Sequence, residues 1–296
     1  MKLVTFSDAA GIRLGVLDAG GTRVTDLSVA APVLPRDMAA FVAAGAAALD
    51  AARQAVAGDL GQLPLESVRL LAPFPRPAKN ILCVGKNYFE HAREFHQSGF
   101  DASAGKDAIP EVPIIFTKWP NSVTGPGDPI PSANDPTQSV DYEGELTVVI
   151  GAVARNVKKA DAFKHVYGYT IVNDVTARTL QHRHKQWFLG KSLDGFCPMG
   201  PCLVTADEVP DVTRLQLQTW VNGELRQNAP VSDLIFDIPT LIEAITALMT
   251  LEPGDLIATG TCAGVGIGFN PPKYLKRGDV VTVTIEPIGT LSNPVS

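Results

Sequence analysis

The distribution of apolar and polar positions along the chain predicts a protein built mostly from strands. From residue 81 onward, short apolar runs rich in β-branched residues alternate with Gly/Pro turns, a pattern typical of strands. Residues 167–172 and 280–285 are two such runs, and residues 220–225 predict a hairpin because Asn-Gly at their centre favours a type I′ turn. Helical patterns are fewer and predict helices at residues 37–57, 175–181 and 238–250.

A proline-rich segment divides the chain into two unequal parts. Residues 73–77 read Pro-Phe-Pro-Arg-Pro, which neither a helix nor a central strand can accommodate. We therefore predict a small N-terminal α+β domain at residues 1–75 and a larger domain at residues 76–296. The fold class predicted for the whole is α+β, with a β-rich, roll- or barrel-like C-terminal domain.

Composition and charge narrow the range of partners. The 296 residues are 45% hydrophobic and 19% charged, with a net charge of −6. This balance disfavours nucleic acid and anionic membranes as partners, and no apolar run approaches the ~20 residues that span a bilayer. The four cysteines form no C-x-x-C pair, and the first residues lack the apolar core of a signal peptide. We expect a cytoplasmic protein.

Carboxylates at every second position are the strongest chemical signal. Asp141, Glu143 and Glu145 lead into an apolar run that predicts a strand, so their side chains are expected on one face. At ~5 Å spacing and an effective dielectric near 20, each neighbouring pair repels by roughly 3 kcal/mol. Protons or a cation must offset this repulsion, and oxygen ligands suit Mg²⁺, Mn²⁺ or Ca²⁺. The alternative is a solvated acidic face on an edge strand. Asp174, after the strand at 167–172, is either a helix cap or a third ligand.

A histidine and a glutamate three residues apart are candidates for acid–base chemistry. A short helix capped by Asn87 and ending near Gly99 would place His91 and Glu94 on one face, where the carboxylate orients the imidazole as a general base. A surface pair is the alternative. The Gly-, Ala- and Asp-rich residues 98–109 that follow resemble a mobile loop that closes over a site.

Two further segments suggest substrate contacts. Lys191 lies between apolar residues, where it either stabilises a developing oxyanion or forms a surface salt bridge. The Gly-rich residues 259–266 predict a turn whose backbone N–H groups bind an anion, such as a substrate carboxylate. The pair His182 and His184 suggests zinc only weakly, because no further histidine or cysteine lies nearby in sequence.

Taken together, these segments resemble the fumarylacetoacetate hydrolase superfamily from residue 81 to the C-terminus. The resemblance is closest to the subgroup with a small N-terminal domain. It rests on the order and density of short motifs, which in this sequence are Val-Gly-Lys-Asn-Tyr at 84–88, Phe-Thr-Lys at 116–118, Gly-Pro-Gly-Asp-Pro-Ile at 125–130, Asp-Tyr-Glu-Gly-Glu-Leu at 141–146, Asn-Asp-Val-Thr-Ala-Arg at 173–178, Gly-Lys-Ser-Leu-Asp at 190–194, Thr-Gly-Thr at 259–261 and Ile-Gly-Thr-Leu at 288–291.

The resemblance implies a site as well as a fold. One Mg²⁺ or Mn²⁺ per chain would be held by Glu143, Glu145 and Asp174, and members are commonly dimers. The implied catalytic residues are His91, Glu94 and Lys191. The implied substrate-binding residues are Gln181, Thr259, Gly260, Lys118 and Tyr142. Cys262 departs from the family, which usually has proline there, and predicts a local change in the carboxylate-binding loop.

The function expected from this resemblance is metal-dependent cleavage of a C–C bond in a β-diketo acid, an acylpyruvate-type substrate. In that reaction His91 deprotonates the attacking water. Oxaloacetate decarboxylation, isomerisation of a hydroxydienedioate and ureidoglycolate lyase chemistry remain alternatives at the same site, as does a non-enzymatic binding or scaffold protein. Arg93, Lys118 and Arg178 are candidates for binding a second substrate carboxylate, and the sequence does not distinguish among them.

Overall fold

The computed structural model describes residues 1–100 and 108–296 and confirms a strand-rich α+β fold. Of the loop expected at residues 98–109, positions 101–107 lie outside the described residues. The strands are β1 (Lys2–Asp8), β2 (Gly11–Leu17), β3 (Arg23–Asp26), β4 (Gln62–Pro64), β5 (Arg69–Leu71), β6 (Ile81–Gly85), β7 (Ile114–Lys118), β8 (Val123–Thr124), β9 (Val140–Asp141), β10 (Gly144–Ile150), β11 (Val166–Asn173), β12 (Thr176–Ala177), β13 (Cys197–Thr205), β14 (Gln216–Val221), β15 (Glu224–Pro230), β16 (Leu256–Thr261), β17 (Val280–Ile285) and β18 (Gly289–Pro294). The α-helices are α1 (Leu27–Ala30), α2 (Met38–Ala43), α3 (Gly45–Val56), α4 (Phe89–Gln97), α5 (Arg178–His184), α6 (Phe188–Lys191) and α7 (Ile238–Leu248).

The large sheet is organised around β10, whose seven residues are all buried. Its neighbours are β11 and β16, both antiparallel to it. Burial of every residue, rather than of alternate residues, shows that this strand is covered on both faces. The register pairs Gly144 with Asn173, so the residues just before β10 lie beside those just after β11.

The N-terminal strands belong to the same sheet. The order is β4-β3-β2-β1-β13-β11-β10-β16-β6-β7, and β1 joins β13 through the pair Lys2 and Val204. Backbone hydrogen bonds therefore link the strands on the two sides of the predicted domain boundary into one sheet. The division of the chain at residues 75 and 76 stays a prediction.

A second sheet, with the order β15-β14-β17-β18, packs against the central strands. The largest core cluster contains Leu146 and Val148 of β10 together with Leu217 and Val283 of this sheet. The sheets lie close together at Gly144, where a Cβ atom would lie 2.4 Å from Thr219 Oγ1. Glycine is required there because any side chain would push the sheets apart next to Glu143 and Glu145.

Several predicted elements are confirmed. The hairpin at 220–225 turns through Asn222 (φ 52°) and Gly223 (φ 79°), as an Asn-Gly type I′ turn requires. The strand at 280–285 has the predicted bounds. The late helix runs Ile238–Leu248, and Asp237 caps it by accepting from Thr240 N at 2.8 Å.

Other predictions are corrected. The Ala-rich segment 37–57 forms two helices rather than one, because Gly45 (φ 65°) interrupts it. The helix predicted at 175–181 starts instead at Arg178, since Thr176–Ala177 pairs with β9. Asn87 does not cap α4, whose N-cap is Tyr88. Within the described ranges, no helix combines the length and apolar character needed to cross a membrane.

Candidate active site

Three buried carboxylates meet at the junction of β10 and β11. Glu143, Glu145 and Asp174 each offer an oxygen, and these oxygens lie within 4.8 Å of one another. The strand register produces the cluster. Asp174 N donates to Glu143 O at 2.8 Å, and Asn173 Oδ1 accepts from Glu143 N at 3.0 Å. The three side chains are at most 5% exposed, which excludes a solvated acidic face.

Asp141 is not part of this cluster, although alternation along one strand would place it on the same face. The strand is interrupted between β9 and β10, and β9 pairs with β12 instead of β11. The Asp141 carboxylate accepts from Arg178 Nε at 2.8 Å, Gly266 N at 2.6 Å and Ile267 N at 3.1 Å. It therefore fixes an arginine and the Gly-rich loop.

Two buried lysines lie against the cluster. Lys191 Nζ donates to Glu143 Oε2 at 2.7 Å and to Asp174 Oδ2 at 2.8 Å. Lys118 Nζ donates to Asp174 Oδ1 at 2.6 Å, to Val175 O at 3.0 Å and to the carbonyl of Lys191. An ammonium group has three donors, so Lys118 has none left for a substrate in this arrangement. Lys118 instead holds Asp174 and the backbone that carries Lys191.

The electrostatic balance leaves Glu145 uncompensated. Burial acts to raise the pKa of Glu143, but the charges of Lys191 and Arg178 outweigh it and hold this pKa below its usual value. Burial, together with repulsion from Asp174 and Glu143, raises the pKa of Glu145 well above its usual value. Among the described residues, Glu145 accepts one hydrogen bond, from Gly260 N at 3.0 Å.

The cluster fits a hard divalent cation. Glu143 and Asp174 form ion pairs with Lys191, Lys118 and Arg178, whereas Glu145 has no ion pair among the described residues. The donor set consists of carboxylate oxygens only, which suits Mg²⁺ or Mn²⁺. An ion bound by Glu145 and its neighbours would supply the positive charge that this part of the interior lacks.

The histidine–glutamate pair forms a dyad in which His91 is buried and Glu94 is half-buried. His91 Nδ1 lies 3.2 Å from Glu94 Oε2, and the imidazole is 4% exposed and stacks on Phe95. Gly264 N donates to Glu94 Oε1 at 3.0 Å. Gly268 lies so close that a Cβ atom there would be 1.8 Å from the same oxygen. With Nδ1 facing a fixed carboxylate, Nε2 is the nitrogen that can exchange a proton with a substrate.

One narrow cavity lies between His91 and the carboxylate cluster. His91, Gln181, Lys191, Glu143 and Glu145 line it, which brings five of the eleven predicted site residues to one place. Arg178, a sequence candidate for binding a second substrate carboxylate, also lines the cavity. The other lining side chains, which are not among the predicted site residues, are Val84, Lys86, Phe95, Phe116, Trp187 and Thr261. Gly85 also lines it, and a Cβ there would lie 2.3 Å from the Trp187 ring. Lys86 has a left-handed backbone (φ 55°), a conformation often found at functional sites.

The remaining predicted substrate residues form bonds within the protein. Thr259 Oγ1 donates to Leu146 O at 2.9 Å, and Tyr142 OH donates to Gly264 O at 2.8 Å. Gly260 N is the donor to Glu145. Substrate contacts by Thr259, Gly260 and Tyr142 stay predictions. His182 and His184 are exposed on α5.

Asn87 has a structural role that the sequence did not reveal. It is fully buried, its Nδ2 donates to Thr259 O at 2.7 Å, and its Oδ1 accepts from Phe236 N at 2.8 Å. These bonds join the start of α4 to β16 and to the segment that precedes α7. Cys262, just after β16, is buried, and Gln227 Nε2 donates to its carbonyl at 2.7 Å.

The chain belongs to the fumarylacetoacetate hydrolase family, since the family model "Fumarylacetoacetate (FAA) hydrolase C-terminal" matches residues 80–296. Oxaloacetate tautomerase YisK of Bacillus subtilis (strain 168) is 56% identical over 231 residues, which cover 78% of this chain and 74% of that protein.

Two solved structures show the same fold over the full chain. A fumarylacetoacetate hydrolase from Exiguobacterium antarcticum is 41% identical with a TM-score of 0.84, covering 100% of this chain and 99% of its own. A maleylpyruvate hydrolase from Sphingobium sp. SYK-6, in complex with manganese(II) and pyruvate, is 32% identical with a TM-score of 0.80, covering 100% of this chain and 98% of its own.

Proposed function

We propose that this protein is a Mg²⁺- or Mn²⁺-dependent enzyme that interconverts the keto and enol forms of oxaloacetate. The observation that carries the proposal is the single cavity in which His91 and Lys191 both face the buried Glu143 and Glu145. Tautomerisation moves one proton between C3 and the 2-oxo oxygen, which requires one group at each atom. The identity to an oxaloacetate tautomerase over most of the chain supports this choice of substrate.

Each residue of the candidate site has a separate role in the proposed reaction. The ion held by Glu143, Glu145 and Asp174 would supply Lewis-acid stabilisation of negative charge on the 2-oxo oxygen. His91, oriented by Glu94, takes the proton from C3 and returns it there in the reverse direction. Lys191 donates a hydrogen bond that stabilises the enolate oxygen. The enolate oxygen takes its proton from solvent, and His91 releases the C3 proton to solvent, so that no net proton is gained or lost. Burial acts to lower the pKa of Lys191, but Asp174 and Glu143 outweigh it and raise this pKa, so Lys191 serves as a charged donor rather than a base.

Hydrolysis of an acylpyruvate is the second candidate. The same dyad can deprotonate water, and a similar structure is a maleylpyruvate hydrolase. The sequence motifs alone favour this hydrolytic reaction. The comparisons instead favour a reaction of oxaloacetate, and the similar protein is named a tautomerase. A homodimer, a cytoplasmic location and a catabolic role stay predictions.

The deciding experiment follows the ultraviolet absorbance of enol-oxaloacetate after dilution into buffer, with the protein and either Mn²⁺, Mg²⁺ or EDTA. Acetylpyruvate and fumarylpyruvate are assayed in parallel for cleavage and pyruvate release. We expect metal-dependent acceleration of enol decay without loss of total oxaloacetate. Glu90→Gln, an exposed change on the helix that carries His91, should leave the rate unchanged. Acylpyruvate cleavage without any effect on enol decay would contradict the proposal.

A further inference from the structure

Arg178 is the buried arginine of the site, and its guanidinium is only partly used. Its Nε donates to Asp141 Oδ2 at 2.8 Å, and its Nη1 contacts Glu143 Oε1 at 2.6 Å and Gln181 Oε1 at 3.2 Å. The side chain is 0% exposed, yet Nη2 has no hydrogen-bond partner among the described residues. An unpaired buried donor of this kind is rare and destabilising unless something occupies it.

The unused nitrogen belongs to a residue that lines the cavity. Arg178 shares this lining with His91, Lys191 and the two glutamates. Its other nitrogens are held by protein oxygens, so Nη2 is the part of the guanidinium available to a bound molecule. Because its position is fixed from two sides by Asp141 and Glu143, Nη2 presents two N–H groups with little freedom to move.

The two other basic candidates for a second carboxylate do not share these properties. Arg93 is exposed and paired with Glu90 at 2.8 Å. All three donors of Lys118 are bonded within the protein. The structure therefore distinguishes three cations that the sequence leaves equivalent.

We propose that Arg178 Nη2 binds the second carboxylate of a dicarboxylate substrate and thereby selects dicarboxylates over monocarboxylic 2-oxo acids. This inference rests on the proposed function and adds a residue-level basis for substrate choice. The substrate's 2-oxo acid half lies at the carboxylate cluster. Its far carboxylate replaces the missing partner of Nη2 with a charge-assisted hydrogen bond. Gln181 Oε1, which accepts from Nη1, keeps the guanidinium turned toward the cavity.

The test measures binding rather than turnover, so its outcome is independent of the tautomerase assay. Calorimetry with the Mn²⁺-loaded protein compares L-malate with L-lactate, which share a 2-hydroxy acid half and differ by the second carboxylate. We expect L-malate to bind at least about tenfold more tightly than L-lactate, as a buried hydrogen bond between charged groups provides. Equal affinities in the unmodified protein would overturn the inference without any variant.

Variants assign the preference to a residue. In Arg178→Lys the positive charge remains but the fixed fork is lost, so the malate-to-lactate ratio should fall to within about threefold of unity. Arg93→Lys, the matched change at the exposed arginine, should leave the ratio unchanged. Mn²⁺ binding is measured in each variant by electron paramagnetic resonance. If Arg178→Lys binds Mn²⁺ and keeps the preference for L-malate, the inference is wrong. If this variant does not bind Mn²⁺, the malate-to-lactate ratio of the unmodified protein is measured at increasing salt concentration. A ratio that is insensitive to salt supports a buried contact, whereas a ratio that falls with salt indicates an exposed, screened contact and contradicts the inference.

Discussion

Glu145 offers the sharpest test of the charge distribution in the site. The cluster oxygens lie within 4.8 Å of one another, and two unit charges at that separation repel by roughly 3 kcal/mol at an effective dielectric near 20. Glu145 faces two such neighbours, Asp174 and Glu143. Among the described residues, its negative charge is stabilised by Lys191 at longer range and by the N–H of Gly260. We expect Glu145→Gln to raise the free energy of unfolding in EDTA by about 1 to 3 kcal/mol.

The pH dependence has a defined direction. The folded pKa of Glu145 is raised, so its contribution to stability is complete below its unfolded pKa, roughly 4.3, and is lost as pH rises through the folded value. The stabilisation by Glu145→Gln should therefore be present at neutral pH and disappear toward pH ~4. Urea unfolding in EDTA across this range measures it.

Mn²⁺ should reverse the order of stability. At a concentration of 100 Kd the ion adds about 2.7 kcal/mol to the unmodified protein, whereas Glu145→Gln lacks a ligand and should gain far less. Asp141→Asn is the matched control: the same isosteric change at a buried carboxylate paired with Arg178 should destabilise by about 3 to 5 kcal/mol with or without Mn²⁺. A Glu145→Gln protein that is less stable than the unmodified one in EDTA would refute the reasoning.

Three further predictions concern groups that support the site. Lys118→Met removes a buried cation bonded to Asp174 and should lower the unfolding free energy by about 3 to 5 kcal/mol in urea titrations, while an unchanged value would contradict its buried position. His91→Ala should lower kcat by about 10²-fold or more and leave Mn²⁺ affinity unchanged; unchanged turnover would remove the dyad from the mechanism. Gly268→Ala places a Cβ against Glu94 and should lower kcat at least about tenfold by displacing the dyad, with Gly20→Ala, whose Cβ would lie 3.7 Å from the nearest atom, as the control.

The sequence predicts that Glu143 and Glu145 lie together because the relevant period is local. Glu143 and Glu145 lie two residues apart, and strand geometry alone places such residues on one side. The same rule fails for Asp141, because the change of pairing partner between β9 and β10 depends on where β12 lies in the fold. The strand propensity of the residues does not reveal that β9 pairs with β12 while β10 pairs with β11.

Asn87 and the Gly-rich loop at residues 259–266 also could not be interpreted correctly from the sequence, because their partners are distant along the chain. A polar residue before a helix predicts a cap, yet the partners of Asn87 are 149 and 172 residues away in sequence. Binding of a substrate carboxylate by the loop N–H groups stays a prediction, because the carboxylates that these groups meet are side chains of the protein: Gly260 donates to Glu145, Gly264 to Glu94 and Gly266 to Asp141. Only the fold shows which carboxylate each N–H meets.

The pairing of Asp174 with two lysines has a consequence for the order of folding and metal binding. Small zinc domains are unfolded until the metal arrives, because nothing else neutralises their ligands. Here Lys118 and Lys191 already occupy both oxygens of Asp174. Because these ammonium groups already neutralise the carboxylate, the chain can complete its sheet without an ion, and the release of a bound ion would leave Asp174 paired.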